Sequence, residues 1–223
     1  MKILKYSIPF LISIFSTTAI AGNDQNSTLG VKSVSSSAKS IDKKHSWSGP
    51  YIGLFSGYNS NGIFNNLTNS DSYGRVNGLS YGGVIGYDFQ SDMLLFGIAL
   101  DASVDSSKGV NSAGDAQVTL ENNYTARLRG GFLLRDDLLA YFTGGFSYLR
   151  AKGDYLTQSL TDKEFHNGNV IGAGLEFRLA DNVGLFSEYR QYSFSKATYK
   201  WGSNLYDVDY SSSRVDFGIK YYW

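Results

Sequence analysis

The sequence predicts an all-β fold: an eight-stranded antiparallel up-and-down β-barrel that crosses a membrane with its strands. Three observations predict it. Apolar and polar residues alternate with period two over segment after segment, the pattern of strands whose two faces meet different surroundings. The connections between these segments are alternately tight and long, placing short turns at one end of the barrel and four longer loops at the other. The polar parity is rich in Gly, whereas the wet outer face of a soluble barrel would carry Lys and Glu.

Taken in chain order, Lys2 and Lys5 precede the apolar run 6–15, and Ser16-Thr17-Thr18-Ala19-Ile20-Ala21 ends in a small-x-small pattern before Gly22. This predicts a signal peptide over 1–21 that directs export, with an apolar run too short for a membrane-spanning helix. Residues 22–46 read as a flexible periplasmic linker. The stretch 30–40 is dominated by Ser and Lys and lacks aromatics, so it has little apolar area to offset its ordering entropy. Composition changes at Trp47, and 47–223 reads as one barrel domain.

Strands are predicted at 47–59, 78–90, 93–106, 117–134, 138–152, 166–180, 183–195 and 206–223. In the second, Leu79, Tyr81, Ile85, Tyr87 and Phe89 oppose Ser80, Gly82, Gly86 and Asp88. In the third, Leu94, Phe96, Ile98, Leu100, Ala102 and Val104 oppose Gly97, Ala99, Asp101 and Ser103. The fourth sets Val118, Leu120, Tyr124, Ala126, Leu128 and Phe132 against Glu121, Thr125, Arg127 and Arg129. The last sets Val215, Phe217, Ile219, Tyr221 and Trp223 against Arg214, Asp216, Gly218 and Lys220. Tight turns are expected at Ser91-Asp92, Arg135-Asp136-Asp137 and Asp181-Asn182, with long polar loops over 60–77, 107–116, 153–165 and 196–205. A lipocalin-like barrel shares the period. The Gly-rich parity fits the crowded inside of a narrow barrel instead, and the aromatic-rich apolar parity fits a lipid-facing wall.

Composition excludes much else. The 223 residues carry 20 Lys+Arg and 20 Asp+Glu, without the basic surplus of a nucleic-acid binder. There is no Cys, and only His45 and His166, so disulfide scaffolds, thiol catalysis and multi-His metal sites are not expected.

Trp47-Ser48-Gly49-Pro50-Tyr51-Ile52-Gly53 resembles the opening strand of the small outer-membrane β-barrel family, which groups opacity-type and porin-like surface antigens with the transmembrane part of outer membrane protein A. Asp181-Asn182-Val183-Gly184-Leu185, running into Glu188-Tyr189-Arg190-Gln191-Tyr192-Ser193-Phe194, is similar to its penultimate hairpin. Asp216-Phe217-Gly218-Ile219-Lys220-Tyr221-Tyr222-Trp223 resembles the C-terminal signal read by the barrel assembly machinery. Pro50 and the terminal Trp, in place of the usual Phe, depart from the pattern. The resemblance implies an outer-membrane location, periplasmic turns, extracellular loops, and lipids and the assembly machinery as partners.

Twelve charged residues are expected to face inward: Asp88, Asp101, Glu121, Glu176, Glu188 and Asp216 with Arg127, Arg129, Arg178, Arg190, Arg214 and Lys220. Their sum is zero, as an interior salt-bridge network requires, because an unpaired buried charge is costly. No catalytic, cofactor-binding or metal residues are assigned, and no cofactor is expected. Tyr155, His166, Tyr199 and Tyr206 are the candidate axial ligands if the resemblance extends to haem binding. The function expected is that of a non-enzymatic surface barrel with an envelope role, whose polar loops meet host or surface ligands. A haem-binding barrel and a small pore stand as alternatives, with a lipid A-modifying enzyme behind them.

Overall fold

The computed structural model describes residues 46–66, 72–110, 114, 116–156, 159–201 and 203–223; the expected signal peptide and all but the last residue of the linker lie outside the described residues. Nine strand segments follow in order: β1 (Gly49–Asn66), β2 (Ser72–Ser91), β3 (Leu94–Asp105), β4 (Lys108–Val110), β5 (Ala116–Arg135), β6 (Leu138–Tyr155), β7 (Leu160–Ala180), β8 (Val183–Trp201) and β9 (Asn204–Tyr222). β3 and β4 are two parts of one stave, both held between β2 and β5. The ring therefore has eight antiparallel staves. It closes where β9 pairs with β1, Ile219 opposite Leu54, leaving no unpaired edge to meet lipid.

Tight turns join β2 to β3, β5 to β6 and β7 to β8 at the end that also holds the C-terminus. Asp92 takes a left-handed φ of 51° there, a conformation that Asp tolerates in such turns. The opposite connections are shorter than expected. β1 continues to Asn66 rather than 59, β2 begins at Ser72 rather than 78, β6 reaches Tyr155, β7 begins at Leu160 and β8 runs to Trp201. Most of the segments 60–77, 153–165 and 196–205 is thus strand, and 107–116 contains β4. The long strands of 18 to 21 residues exceed the roughly 9–11 that a tilted crossing needs, so the barrel continues beyond the bilayer.

The physical reason is an inversion of polarity between the two faces, seen along β6 and β5. Within the membrane section Phe142, Phe146 and Tyr148 of β6 face out and Thr143 and Ser147 face in. Farther along the same strand Leu149 and Ala151 are buried, while Arg150 and Lys152 reach the surface. Beyond these residues, the segment expected as a loop over 153–165 is still largely strand, polar on its outer face around an apolar core. In β5 the inversion coincides with a register shift between Leu120 and Asn122. Val118 and Leu120, expected to face lipid with Tyr124, are buried; Glu121, expected inside, faces out beside Arg150 at 3.2 Å and Lys163 at 2.7 Å. One extra residue exchanges the two faces of a strand.

The Gly parity is explained by rings lying on the inner wall. Phe55 lies opposite Gly82 on β2 and Gly218 on β9, and Tyr51 opposite Gly86. A Cβ at Gly82 or Gly86 would run into the ring it faces. Glycine is needed here for close approach, not for φ.

Candidate functional site

Among the described residues the lumen holds a floor, two layers of charged side chains and an apolar cap. At the periplasmic end Trp47 is fully buried against Leu95, Leu133, Leu139 and Tyr141. Its indole N–H donates to the Asp136 carbonyl at 3.1 Å. The Arg178 guanidinium stacks 3.4 Å from the Tyr222 ring centre and 4.5 Å from that of Trp47, and donates to the Ser46 and Asp181 carbonyls. The chain entering β1 is therefore the plug of the barrel floor.

Two charge layers follow. In the lower, Arg129 bridges Asp88 at 2.7 Å and Glu176 at 2.9 Å, and Lys220 reaches Glu176 at 2.6 Å. Tyr222 donates its hydroxyl to Glu176. In the upper, Asp101 is held by Arg127 and Arg190, each at 2.9 Å, and Glu188 accepts from Arg190 at 3.0 Å and from Arg127. Arg190 also meets Asp216 at 3.1 Å, and Arg214 meets Asp216 at 2.9 Å. Eleven of the twelve charges expected inside are buried there; Glu121 is the exception, and Asp105, on the same parity as Asp101 and Ser103, is buried beside Asn59 and Ser107. Every ionic group in these two layers already serves an opposite charge. The space among Tyr51, Arg127, Arg129, Glu188, Arg190 and Lys220 has no room for a water molecule.

Above the charges the lumen turns apolar. Phe64, Val76, Val118, Leu120, Leu149, Val170, Phe194, Val208 and Tyr210 form one buried cluster, with Phe64 and Tyr210 stacked at 4.3 Å. Its outer surface is polar: Lys196 and Thr198 on β8 donate to Asp207 on β9 and hold that carboxyl below the usual carboxylate range.

Of the four candidate haem ligands, two are brought together. His166 is fully buried, with Nε2 2.9 Å from the Tyr199 hydroxyl and Nδ1 3.2 Å from the Ser195 carbonyl. Both ring nitrogens are engaged in the apolar cap. Tyr155 packs against the same cluster, and Tyr206 pairs through its backbone with Tyr199. Among the described residues no group of three or more His, Asp or Glu is arranged to hold a metal. What sequence reasoning missed is the floor and the cap; the signals available were the isolated Trp47 and the inward apolar residues beyond position 149.

Comparison with known proteins matches this architecture. Residues 26–221 match the outer membrane protein beta-barrel domain. The chain is 28% identical to the 25 kDa outer-membrane immunogenic protein of Brucella abortus, with 81% of this chain and 82% of that protein covered. It is 31% identical to the 31 kDa outer-membrane immunogenic protein of Brucella melitensis, with 77% and 80% covered. Among solved structures, Neisserial surface protein A superposes with a TM-score of 0.52 at 15% identity, over 79% of this chain and 98% of that one. A matched family domain over most of the chain, a closed eight-stave ring and an apolar outer wall agree: the chain belongs to the outer-membrane β-barrel family and resides in the outer membrane.

Proposed function

We propose that this chain is a non-enzymatic, non-conducting surface barrel that stiffens the envelope and presents its extracellular collar to host or surface ligands. The observation that carries this reading is a lumen closed three times, by the Trp47–Arg178 floor, by the two charge layers and by the apolar cap. An eight-stranded barrel has only enough interior for side chains, and here those side chains are committed to one another. Within this reading residues 1–21 serve as the export signal, 22–46 as a periplasmic linker, and the C-terminal strand as the element the assembly machinery engages. The collar is rigid because its strands are hydrogen-bonded nearly to their tips, with β6 and β7 paired as far as Tyr155 and Leu160. A rigid pedestal lowers the ordering cost of any contact made at its tips.

The test is reconstitution of the folded barrel in planar lipid bilayers. Current at the baseline supports the reading. Reproducible discrete conductance steps that vanish on cross-linking the lumen would overturn it in favour of a pore.

A further inference from the structure

The outer wall is not uniform. On the face formed by β1, β2, β3, β5, β6 and β7 it holds an apolar groove of about 790 Å³. Gly83, Ala102 and Ala126 are among the small residues that line it. Gly83 and Ala102 lie opposite each other on β2 and β3, and small side chains there let the wall dip between larger neighbours. On the extracellular side the groove is lined by Tyr124 and Tyr148, a cross-strand pair on β5 and β6. Tyr148 stacks on Phe165 at 4.7 Å, and the Arg150 guanidinium sits 5.6 Å above the same Phe165 ring. These aromatics mark the membrane interface.

Directly above that aromatic row lies a belt of cations. Lys108 pairs in register with Thr119, Thr119 with Lys152, and Lys152 with Lys163, and all four positions face outward. Arg150 lies one step nearer the bilayer on the same face of β6. Among the described residues only Glu121 and Asp154 oppose these four cations on this face; Glu121 meets Arg150 and Lys163, and Asp154 meets Lys152 at 3.0 Å. Asp162 and Glu164 occupy the other parity of β7, with His166. The sector formed by β8 and β9 lacks such a surplus, since Lys196 and Lys200 are matched by Asp207 and Asp209.

We infer that this face binds one phosphate-bearing lipid of the outer leaflet, with an acyl chain in the groove and its phosphate on Lys108, Arg150, Lys152 and Lys163. The existing ion pairs are partly exposed and individually weak, so a doubly charged phosphate competes with Glu121 for them. Apolar groove, aromatic rim and cation belt follow one another along the same strands, in the order of a lipid's tail, glycerol-level interface and headgroup. Nothing in this inference depends on whether the lumen conducts.

The experiment uses the full barrel purified in mild detergent, with native mass spectrometry as readout and two probes: diphosphoryl lipid A and the same lipid stripped of phosphate. Wild type is expected to retain one diphosphoryl lipid A and to release the stripped form. K108Q/R150Q/K152Q/K163Q should lose affinity by about fivefold per cation removed, and the groove-filling A102L/A126L should lose it by a comparable total. K196Q/K200Q should match wild type. Heat-modifiable gel mobility confirms that each variant is folded; should the quadruple variant not fold, K152Q alone carries the cation test with a fivefold loss. Equal retention of both probes, or wild-type retention by the folded cation variants, would overturn the inference. So would an intersubunit cross-link at A126C appearing in place of bound lipid, because the groove would then belong to a second copy of this chain.

Discussion

Arg190 on β8 and Asp101 on β3 meet at 2.9 Å across the lumen, although their strands share no ladder. The contact ties opposite walls of the ring together. Arg127 completes it, bridging Asp101 to Glu188 on the far side. The wall is thus held in two ways: by backbone pairing around its circumference and by ion pairs through its axis.

Arg127→Leu removes one cation from two buried carboxylates. Breaking a buried pair by deleting one partner costs about 3–5 kcal/mol. The folded, unboiled band on a gel should convert to the unfolded one at a clearly lower temperature than wild type. An unchanged transition would mean that Arg127 does not face the lumen.

The inward glycines separate from the outward ones. Gly82→Leu and Gly86→Leu place a side chain where Phe55 and Tyr51 lie, so neither should yield a folded band. Gly130→Ala faces outward with nothing within 4 Å of the added carbon, and should fold with normal mobility. Quantifying the folded fraction of the three variants side by side is the check.

Much of this arrangement is legible in sequence. The run Phe96–Val104 is readable because its large apolar residues face outward while Asp101 and Ser103 face the lumen. Asp105 continues the inward parity of Asp101 and Ser103 and is equally legible. Val118, Leu120 and Glu121 are not, because their faces depend on the register shift before Asn122, and a bulge leaves no mark in composition. The upper part of the barrel is hidden for a related reason: Asp154, Asp162 and Lys163 look like loop residues until the inward Leu149 and Ala151 are seen packed in one cluster with Leu160 and with strands distant in sequence. The engagement of His166 by Tyr199 and Ser195 likewise requires the β7–β8 pairing to be known.

His166→Ala leaves a hole in the apolar cap and strips partners from Tyr199 and the Ser195 carbonyl. The expected result is faster proteolysis of the collar in intact cells, with the membrane-embedded fragment still resistant. Haem titration of wild type and variant should give superimposable Soret spectra, because the imidazole is not free to bind iron in the folded cap. A Soret shift present in wild type and absent in the variant would contradict this.

Trp223 is exposed at the periplasmic rim, edge-on to Tyr221 at 5.4 Å, and its backbone N–H donates to the Pro50 carbonyl. An indole suits the membrane interface, and the terminal strand must close the ring. Deleting Trp223 or changing it to Asp should trap the chain unfolded in the periplasm, whereas Trp223→Phe should assemble normally, as should a chain lacking 24–44. Outer-membrane fractionation with unboiled gel mobility distinguishes these outcomes.

β5 passes from a lipid-facing wall around a charged lumen to a water-facing wall around an apolar core, with the exchange at Glu121. A nitroxide scan along β5 in reconstituted bilayers tests it most directly. Labels at 124, 126 and 128 should collide with oxygen dissolved in lipid, labels at 117 and 119 with a water-soluble nickel complex, and labels at 118, 120, 125 and 127 with neither. A single unbroken alternation that puts 118 and 120 in lipid, or nickel access at 125 and 127, would contradict the account.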